Sequence, residues 1–350
     1  QGVLISRVEA DSRLAGPGVL FVAVKGTGGD GHHYLDQVVS QGCCAVVYQG
    51  CLDDHLNPEQ QSKLEASVQV SRTRPAPALL ARELANRPDE KLVTAAVTGT
   101  NGKTTVAFLM QEMLKRLNGS CGMLGTICYD DGKETVPAPL TTPGGPVLFH
   151  WLDRMVAGGC RSVAMELSSH ALDQQRCAGL TLSVAVMTNI GRDHLDYHSD
   201  IPTYVKAKAK IIDYLAPGGK VVINWADPLL SILETGIHKP LFFDPRPGAG
   251  QPDEEILVLN DAVLGLEGTR LELAYRGAQY TLNSPLVGRF NVENLMASFA
   301  AGLALEFPAG DVIAALAGVN QVPGRLERFL LPNGGLAVVD YAHTHDALAA

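Results

Sequence analysis

Three features are scarce in this 350-residue sequence, and each absence narrows what the chain does. Its seven cysteines include the adjacent pair Cys43–Cys44 but no CxxC spacing. That argues against a zinc knuckle or a thioredoxin-type motif, and the thiols read as reduced, mostly buried groups of a cytoplasmic protein. No apolar run approaches the ~20 residues needed to cross a bilayer, so no membrane partner is expected. Basic residues are outnumbered, 28 Lys and Arg against 37 Asp and Glu for a formal charge of -9. A broad nucleic-acid-binding face would need the opposite balance. A small anionic substrate is compatible with it, because a few cations and backbone N–H groups can hold phosphate inside an acidic protein.

Hydrophobic residues at 46% and charged residues at 19% place the chain among globular proteins, and its length predicts two or three domains. No internal repeat or low-complexity tract interrupts it. Residues 1–88 read as a small α/β domain: a strand-like run at 19–24, a glycine-rich turn from Gly26 to Gly31, a helix at 34–41 and a strand at 45–48. The polar stretch 53–65 reads as a surface excursion, and Arg87-Pro88-Asp89 marks a boundary.

From 89 to 330, short β-branched runs (93–97, 162–165, 182–187, 220–223) alternate with helical ones (104–117, 147–157, 201–214, 292–305). Such alternation predicts a mostly parallel sheet covered by helices on both faces. Further runs at 256–259, 270–275 and 280–284 look antiparallel and predict a smaller sheet at one side. A last strand over 336–340 looks like the opening of a third domain, so 331–350 is assigned to it, and both ends of the chain read as cut.

The sharpest chemical signal is Thr98-Gly99-Thr100-Asn101-Gly102-Lys103-Thr104-Thr105, set after a strand and opening a helix. Glycines let backbone N–H groups turn inward around a phosphate chain, and the helix N-terminus adds a favourable dipole. Lys103 can reach the β and γ phosphates and the Thr104 hydroxyl can ligate Mg²⁺. The loop is shorter than GxxxxGK[ST], with Val97 where that pattern has its first glycine.

Glu166 follows a strand in Met165-Glu166-Leu167-Ser168-Ser169-His170, where α/β sheets present ligands. A second polar cluster, from Thr188 to His198, includes Asp193 and His194. On the same sheet edge as a phosphate loop, these carboxylates are candidate magnesium ligands, whereas a histidine on that hard cation is unusual chemistry. Lys206, Lys208 and Lys210 lie two apart on a helix, so one or two at most can face the site.

Taken together, TGTNGKTT, LTTPG at 140–144, MELSSHAL at 165–172, DHLDYH at 193–198, FNVEN at 290–294, PGRLER at 323–328 and DYAHT at 340–344 resemble the Mur ligases. Within them, the resemblance is to the members that add the third amino acid of the peptidoglycan precursor. It runs from about residue 8 to the end of the chain.

The resemblance implies a small UDP-binding domain, a central P-loop-type domain and a Rossmann-like C-terminal domain that is mostly absent here. The implied activity is ATP-dependent amide formation on UDP-MurNAc-L-Ala-D-Glu through an acyl phosphate. The free amino acid is meso-diaminopimelate in preference to L-lysine, and the enzyme is a monomer. The resemblance carries Ala10, Ser12, Thr27, Gly28, Gly29, Thr141, Thr142, Ser168, Gln174 and Arg176 over as substrate contacts. Gly99 to Thr105 become the ATP loop, with Asn291 and Asn294 beside the adenine. Thr104, Glu166 and His194 become magnesium ligands, and Lys208 is a lysine that carries a carbamate able to support a second Mg²⁺. With Lys103, the last three form the implied catalytic set.

Two departures from the pattern stand out. Ala226 occupies a position where an acid is common, and His345 stands where proline follows DYAHT. The competing readings are another Mur-type ligase and a nucleotide-binding homologue without turnover. These 350 residues alone are expected to bind the UDP substrate but to ligate poorly.

Overall fold

A computed structural model of the chain describes residues 3–26, 28–248, 255–333 and 335–342. The chain divides into two compact units. The first contains residues 1–91, and two later segments, 143–154 and 170–180, return to it. The second contains the rest.

In the first unit, four short strands, β1 (Arg7–Glu9), β2 (Val19–Val22), β3 (Ala45–Tyr48) and β4 (Ala66–Gln69), pair in parallel in that order. β2 and β3 are apolar on both faces, as an interior parallel strand requires, whereas β4 at the edge is mostly exposed. Phe21, Leu35, Val38 and Val46 form a small core with α1 (Leu35–Ser40). The segment read as a surface excursion holds a one-turn helix, α2 (Pro58–Gln61), closed by an Asn57–Gln60 capping box. α3 (Ala76–Leu84) follows, with Pro77 in its first turn, where a missing N–H costs nothing.

The second unit is built on eleven strands. β5 (Val93–Thr98) leads into α4 (Lys103–Asn118), followed by β6 (Cys121–Leu124), β7 (Cys128–Asp130) and β8 (Thr135–Pro137). After α5 (Gly145–Gly158) come β9 (Ser162–Glu166), α6 (Ser169–Asp173), β10 (Leu182–Met187), the one-turn helix α7 (Leu195–His198) and α8 (Ile201–Ala209), with most of α5 and α6 belonging to the first unit. β11 (Leu215–Asn224), β12 (Pro240–Asp244), β13 (Ile256–Leu264), β14 (Thr269–Tyr275) and β15 (Ala278–Ser284) complete the sheet. Its order is β15-β14-β13-β12-β11-β10-β5-β9-β6-β7-β8. Strands from β13 through to β6 pair in parallel, with antiparallel hairpins added at both edges.

The mixed α/β class and the parallel centre agree with the sequence reading, but two details differ. The side sheet predicted from 256–284 does not exist as a separate layer, because β13 pairs in parallel with β12 and carries β14 and β15 onto the main sheet. The helix predicted over 201–214 stops at Ala209, and a 3₁₀ turn over Ile212–Tyr214 replaces its last stretch.

α9 (Phe290–Ala304) is buried along nearly its whole length and α10 (Ala309–Ala317) packs beside it. Met110, Met113, Phe299 and Val312 share one core with the strands. The strand predicted near 336 is β17 (Leu336–Val339), paired antiparallel with β16 (Glu327–Leu330). No helix among the described residues is long and apolar enough to cross a membrane.

Candidate active site

β9, β5 and β10 are neighbours in the sheet and run in parallel, so their carboxyl ends open on one edge. β5 delivers the glycine loop, β9 delivers Glu166, and β10 delivers the segment Thr188–His194. A parallel α/β sheet gathers functional groups at such an edge.

The loop's shape follows from its glycines. Gly102 has φ +84 and caps α4; a Cβ there would lie 2.5 Å from Asn294 Oδ1. Gly99 passes so close to Thr188 that any side chain would collide with its hydroxyl. The loop is then tied to the end of β10: Asn101 N–H donates to Asn189 Oδ1 (2.9 Å), and the Thr188 hydroxyl donates to Asn101 O (2.6 Å). Gly191 N–H donates to Thr100 Oγ1 (2.8 Å), which also meets Tyr204 OH at 3.2 Å.

A cavity of about 320 Å³ opens over this loop. Lys103 lies along its floor and donates to Gly99 O (2.9 Å) and Thr100 O (2.8 Å). Burial lowers its affinity for a proton, while Glu166 and Asp193 favour the cation. Glu166 is 1% exposed. Its carboxylate accepts from Thr126 N–H (2.6 Å), the Thr126 hydroxyl (3.2 Å) and the Thr104 hydroxyl (3.1 Å). Burial pushes the Glu166 carboxyl above the usual range, against those donors and Lys103. Arg325 donates to Thr104 Oγ1 at 3.0 Å and stands over the Tyr341 ring.

Lys208 is also buried, and its Nζ donates to Gly99 O at 2.6 Å, the carbonyl that Lys103 uses. Burial and the neighbouring Lys103 hold it well below the ordinary lysine range, with Asp193 opposing weakly. Among the described residues, no carboxylate pairs with it within ion-pair distance.

His194 lies at the cavity's half-exposed rim in the left-handed conformation (φ +54), with Nε2 3.4 Å from Asp193 Oδ2. Among the described residues, no three His, Cys, Asp or Glu side chains form a ready metal cluster. The donors that do converge, Thr104 and Glu166, are oxygens, which suits a hard cation such as Mg²⁺.

The remaining sequence-predicted residues divide among several places. Thr100 to Thr105, Thr141 and Ser168 line the cavity. Thr142 is buried instead: its hydroxyl donates to Glu166 O (2.7 Å) and accepts from Ser168 N–H (3.0 Å), so it shapes the wall. Asn291 and Asn294 are buried in α9, joined by a 2.9 Å hydrogen bond, and lie outside the lining, with Asn294 against the loop at Gly102.

Ala10, Gly28, Gln174 and Arg176 line a second cavity, also about 320 Å³, within the first unit. There the Arg176 guanidinium donates to Gln174 Oε1 at 2.8 and 3.0 Å, and Arg74 and the segment Gly144–Pro146 complete the wall. Ser12 and Gly29 lie outside that lining, and Thr27 falls outside the described residues.

Sequence reasoning missed Thr126. It sits after β6 with no motif around it, and only the β6–β9 pairing reveals its approach to Glu166. Arg325 and Tyr341 were visible only as members of PGRLER and DYAHT, without roles.

Comparison with known proteins agrees with this geometry. A family model for the Mur ligase middle domain matches residues 97–302, and one for the Mur ligase family catalytic domain matches residues 4–84. The UDP-N-acetylmuramoyl-L-alanyl-D-glutamate--2,6-diaminopimelate ligase of Parabacteroides distasonis is 37% identical over 354 residues, covering 98% of this chain and 68% of that protein. The protein of the same name from Gloeobacter violaceus is 37% identical over 348 residues, with the same coverage. A solved structure of a ligase of this name superposes with a TM-score of 0.79 at 26% identity, over 98% of this chain and 68% of that one. The MurF ligase from Thermotoga maritima in complex with ADP shares the fold, with a TM-score of 0.62 at 20% identity, over 100% of this chain and 74% of that one. The chain belongs to the Mur ligase family.

Proposed function

We propose that this chain binds ATP and UDP-MurNAc-L-Ala-D-Glu and serves the ligation of a third amino acid, meso-diaminopimelate, to that precursor in peptidoglycan synthesis. The observation that carries the reading is the convergence of the Gly99–Thr105 loop, Glu166 and Lys208 at one cavity. The names of the 37%-identical relatives support the substrate and the amino acid. In this reading residues 1–88 hold the UDP group, 89–330 hold ATP and 331–350 begin a third domain. The enzyme is a cytoplasmic monomer.

A carboxylate is a poor acyl donor. Transfer of the γ-phosphoryl of ATP to the D-glutamate carboxylate makes an acyl phosphate and ADP. Attack by the amino group then forms the amide and expels phosphate. Lys103 has three N–H donors, two of them on loop carbonyls, which leaves one for a phosphate oxygen. With the loop N–H groups it meets charge that grows on the transferred phosphoryl.

Thr104 and Glu166 would hold Mg²⁺, with His194 a further candidate at the rim, and the ion would offset phosphate charge. Lys103 and Lys208 share a single carbonyl, so only one is comfortably cationic. The neutral amine of Lys208 is the form that adds CO₂ and loses a proton, giving a carbamate anion where a buried cation would otherwise oppose Lys103. The adenine would lie on the side of the loop where Asn294 packs against Gly102, beside Asn291.

Calorimetric titration with UDP-MurNAc-L-Ala-D-Glu, against UDP-MurNAc-L-Ala as control, tests the assignment. Tighter binding of the dipeptide form by about tenfold or more, worth one charge-assisted hydrogen bond, is expected. Equal affinity for the two would sink it. Amide formation by these 350 residues alone is expected to be slow, since the relatives extend well beyond the matched region.

A further inference from the structure

The glycine-rich turn of the first unit is held by a closed circuit of polar groups, two of them, His32 and Thr73, buried. Lys25 N–H donates to Thr73 Oγ1 (3.2 Å). The N–H and hydroxyl of Thr73 both donate to Gln49 Oε1, each at 3.3 Å. Gln49 N–H donates to His32 Nε2 at 2.9 Å. His32 Nδ1 is bonded to Asp30 Oδ1, which also accepts from His32 N–H (3.0 Å). Asp30 pairs with Lys25 as an isolated antiparallel bridge, which closes the circuit. Thr73 is 0% exposed and His32 3%.

The turn between Lys25 and Asp30 contributes Gly26 and Gly28 to the first unit's cavity, and Arg74, next to Thr73, lines the same cavity. The circuit therefore fixes both feet of the turn and the residue next to Arg74, one of the cavity's two arginines.

The hydrogen-bond pattern also fixes the chemical state of His32. A backbone N–H can only donate, so Nε2 presents its lone pair to Gln49 and the ring proton sits on Nδ1, facing Asp30. A doubly protonated ring has no acceptor and would break the circuit. His55 packs its ring 5.3 Å from that of His32, closing that side.

A glycine turn is conformationally loose on its own, and ligand binding to it must first restrict it. A part-buried polar network with His32 and Thr73 at its buried centre removes that freedom before the ligand arrives, and breaking one member leaves its neighbours unpaired.

We propose that His32, as its Nδ1–H tautomer, and Thr73 are positioning residues that hold Gly26 and Gly28 ready for the diphosphate of the UDP substrate. This rests on the reading of that cavity as the UDP site. Neither side chain lines the cavity, so both act through the turn.

Thr73→Val, which keeps the shape and removes the hydroxyl, and Thr73→Ser, which keeps the hydroxyl, form the decisive pair. His32→Phe is a second route to the same break. UDP and ATP are titrated separately by calorimetry, and amide hydrogen exchange at Gly26, Gly28, Gly29 and Gly31 is followed in the ligand-free protein. Thr73→Val is expected to weaken UDP binding about tenfold, the scale of one or two lost hydrogen bonds, with faster exchange at those glycines. ATP affinity should stay within about twofold, the size expected for a distant, independent site. Thr73→Ser should restore both UDP binding and protection.

Wild-type UDP affinity and exchange in Thr73→Val would overturn the proposal. So would parallel losses of UDP and ATP affinity with a lower Tm, the mark of a purely structural role. Absence of UDP binding by the unmutated chain would instead refute the cavity's assignment. The exchange comparison would then decide alone whether the circuit holds the turn.

Discussion

Lys103 and Lys208 meet on one carbonyl oxygen, Gly99 O, and that contact organises what each should do when changed. Lys103 opens α4 at the loop, so its loss removes a charged donor from any phosphate held there. Lys103→Ala is expected to weaken ATP binding by roughly tenfold or more, the worth of a charge-assisted hydrogen bond. UDP affinity, measured on the same preparation, should not change. Unaltered ATP affinity would remove Lys103 from the site.

Lys208 behaves differently because burial depresses its proton affinity. The unfolded chain, with the ordinary value of 10.5, binds that proton more tightly than the folded one. The resulting penalty is largest at low pH and disappears as pH rises through the window between the depressed folded value and 10.5. In buffer free of CO₂, Lys208→Met should therefore raise Tm at neutral pH, by about 2 °C for each kcal/mol recovered in a chain of this size. The advantage over the unmutated protein should shrink towards pH 10, about where an ordinary lysine loses its proton. An advantage that grew with pH would contradict the burial argument.

At this scale the sequence was informative wherever chemistry is local. The glycine loop, Glu166 and Lys208 stand in short motifs, and the cavity gathers all three. Thr126 has no such signature, since its role comes from a strand pairing that brings it to Glu166, 40 positions away.

Elements were legible where their pattern was undiluted and illegible where one residue type masked it. β10 was read to its end residues because six consecutive positions are apolar or small and the strand is buried among parallel neighbours. α3 has no counterpart in the sequence reading, and the prolines at its N-terminus, Pro75 and Pro77, are compatible with a helix only because they fall in its cap and first turn. β4 was missed because an edge strand with an exposed face has little hydrophobic pattern. β13 to β15 were read as strands but given the wrong sheet, since a strand's own sequence does not name its neighbour.

The loop between β5 and α4 gives the element-scale prediction. Gly102→Ala meets two obstacles, the left-handed φ of +84 and Asn294 Oδ1 at 2.5 Å. Gly218 also has φ +84 but nothing within 4 Å of a Cβ. Both alanine variants should lose about 1 kcal/mol from the backbone term. Only Gly102→Ala should lose more in urea unfolding and also lose ATP affinity, because its Cβ displaces the wall that shapes the loop. Equal effects at the two positions would mean that the contact with α9 is unimportant.

For the whole molecule, the boundary that the sequence placed at 88 falls close to Lys91, where the first segment of the first unit ends. Nothing in the residue pattern marks 143–154 and 170–180 as returning to that unit, because only long-range contacts record it. The return has a functional consequence. Nearly half of the first unit's cavity lining comes from those later segments: Gly144, Gly145 and Pro146 from one, Gln174, Gln175 and Arg176 from the other. Gly145 packs so tightly on Ala78 that a Cβ there would lie 2.5 Å from its Cα.

A polypeptide of residues 1–91 would retain the core around Phe21 and Val46 and the polar circuit of His32 and Thr73, but would leave α3 uncovered where Gly145 packs on it. It should show parallel-sheet circular dichroism and some cooperative unfolding, yet bind UDP at least about a hundredfold more weakly than the full chain. Losing the Arg176 charge and one wall of the pocket accounts for a change of that size. If the short polypeptide bound UDP as tightly as the full chain, the ligand would sit on the glycine turn alone. The returning segments would then serve stability, and the cavity lined by Gln174 and Arg176 would not be where UDP binds.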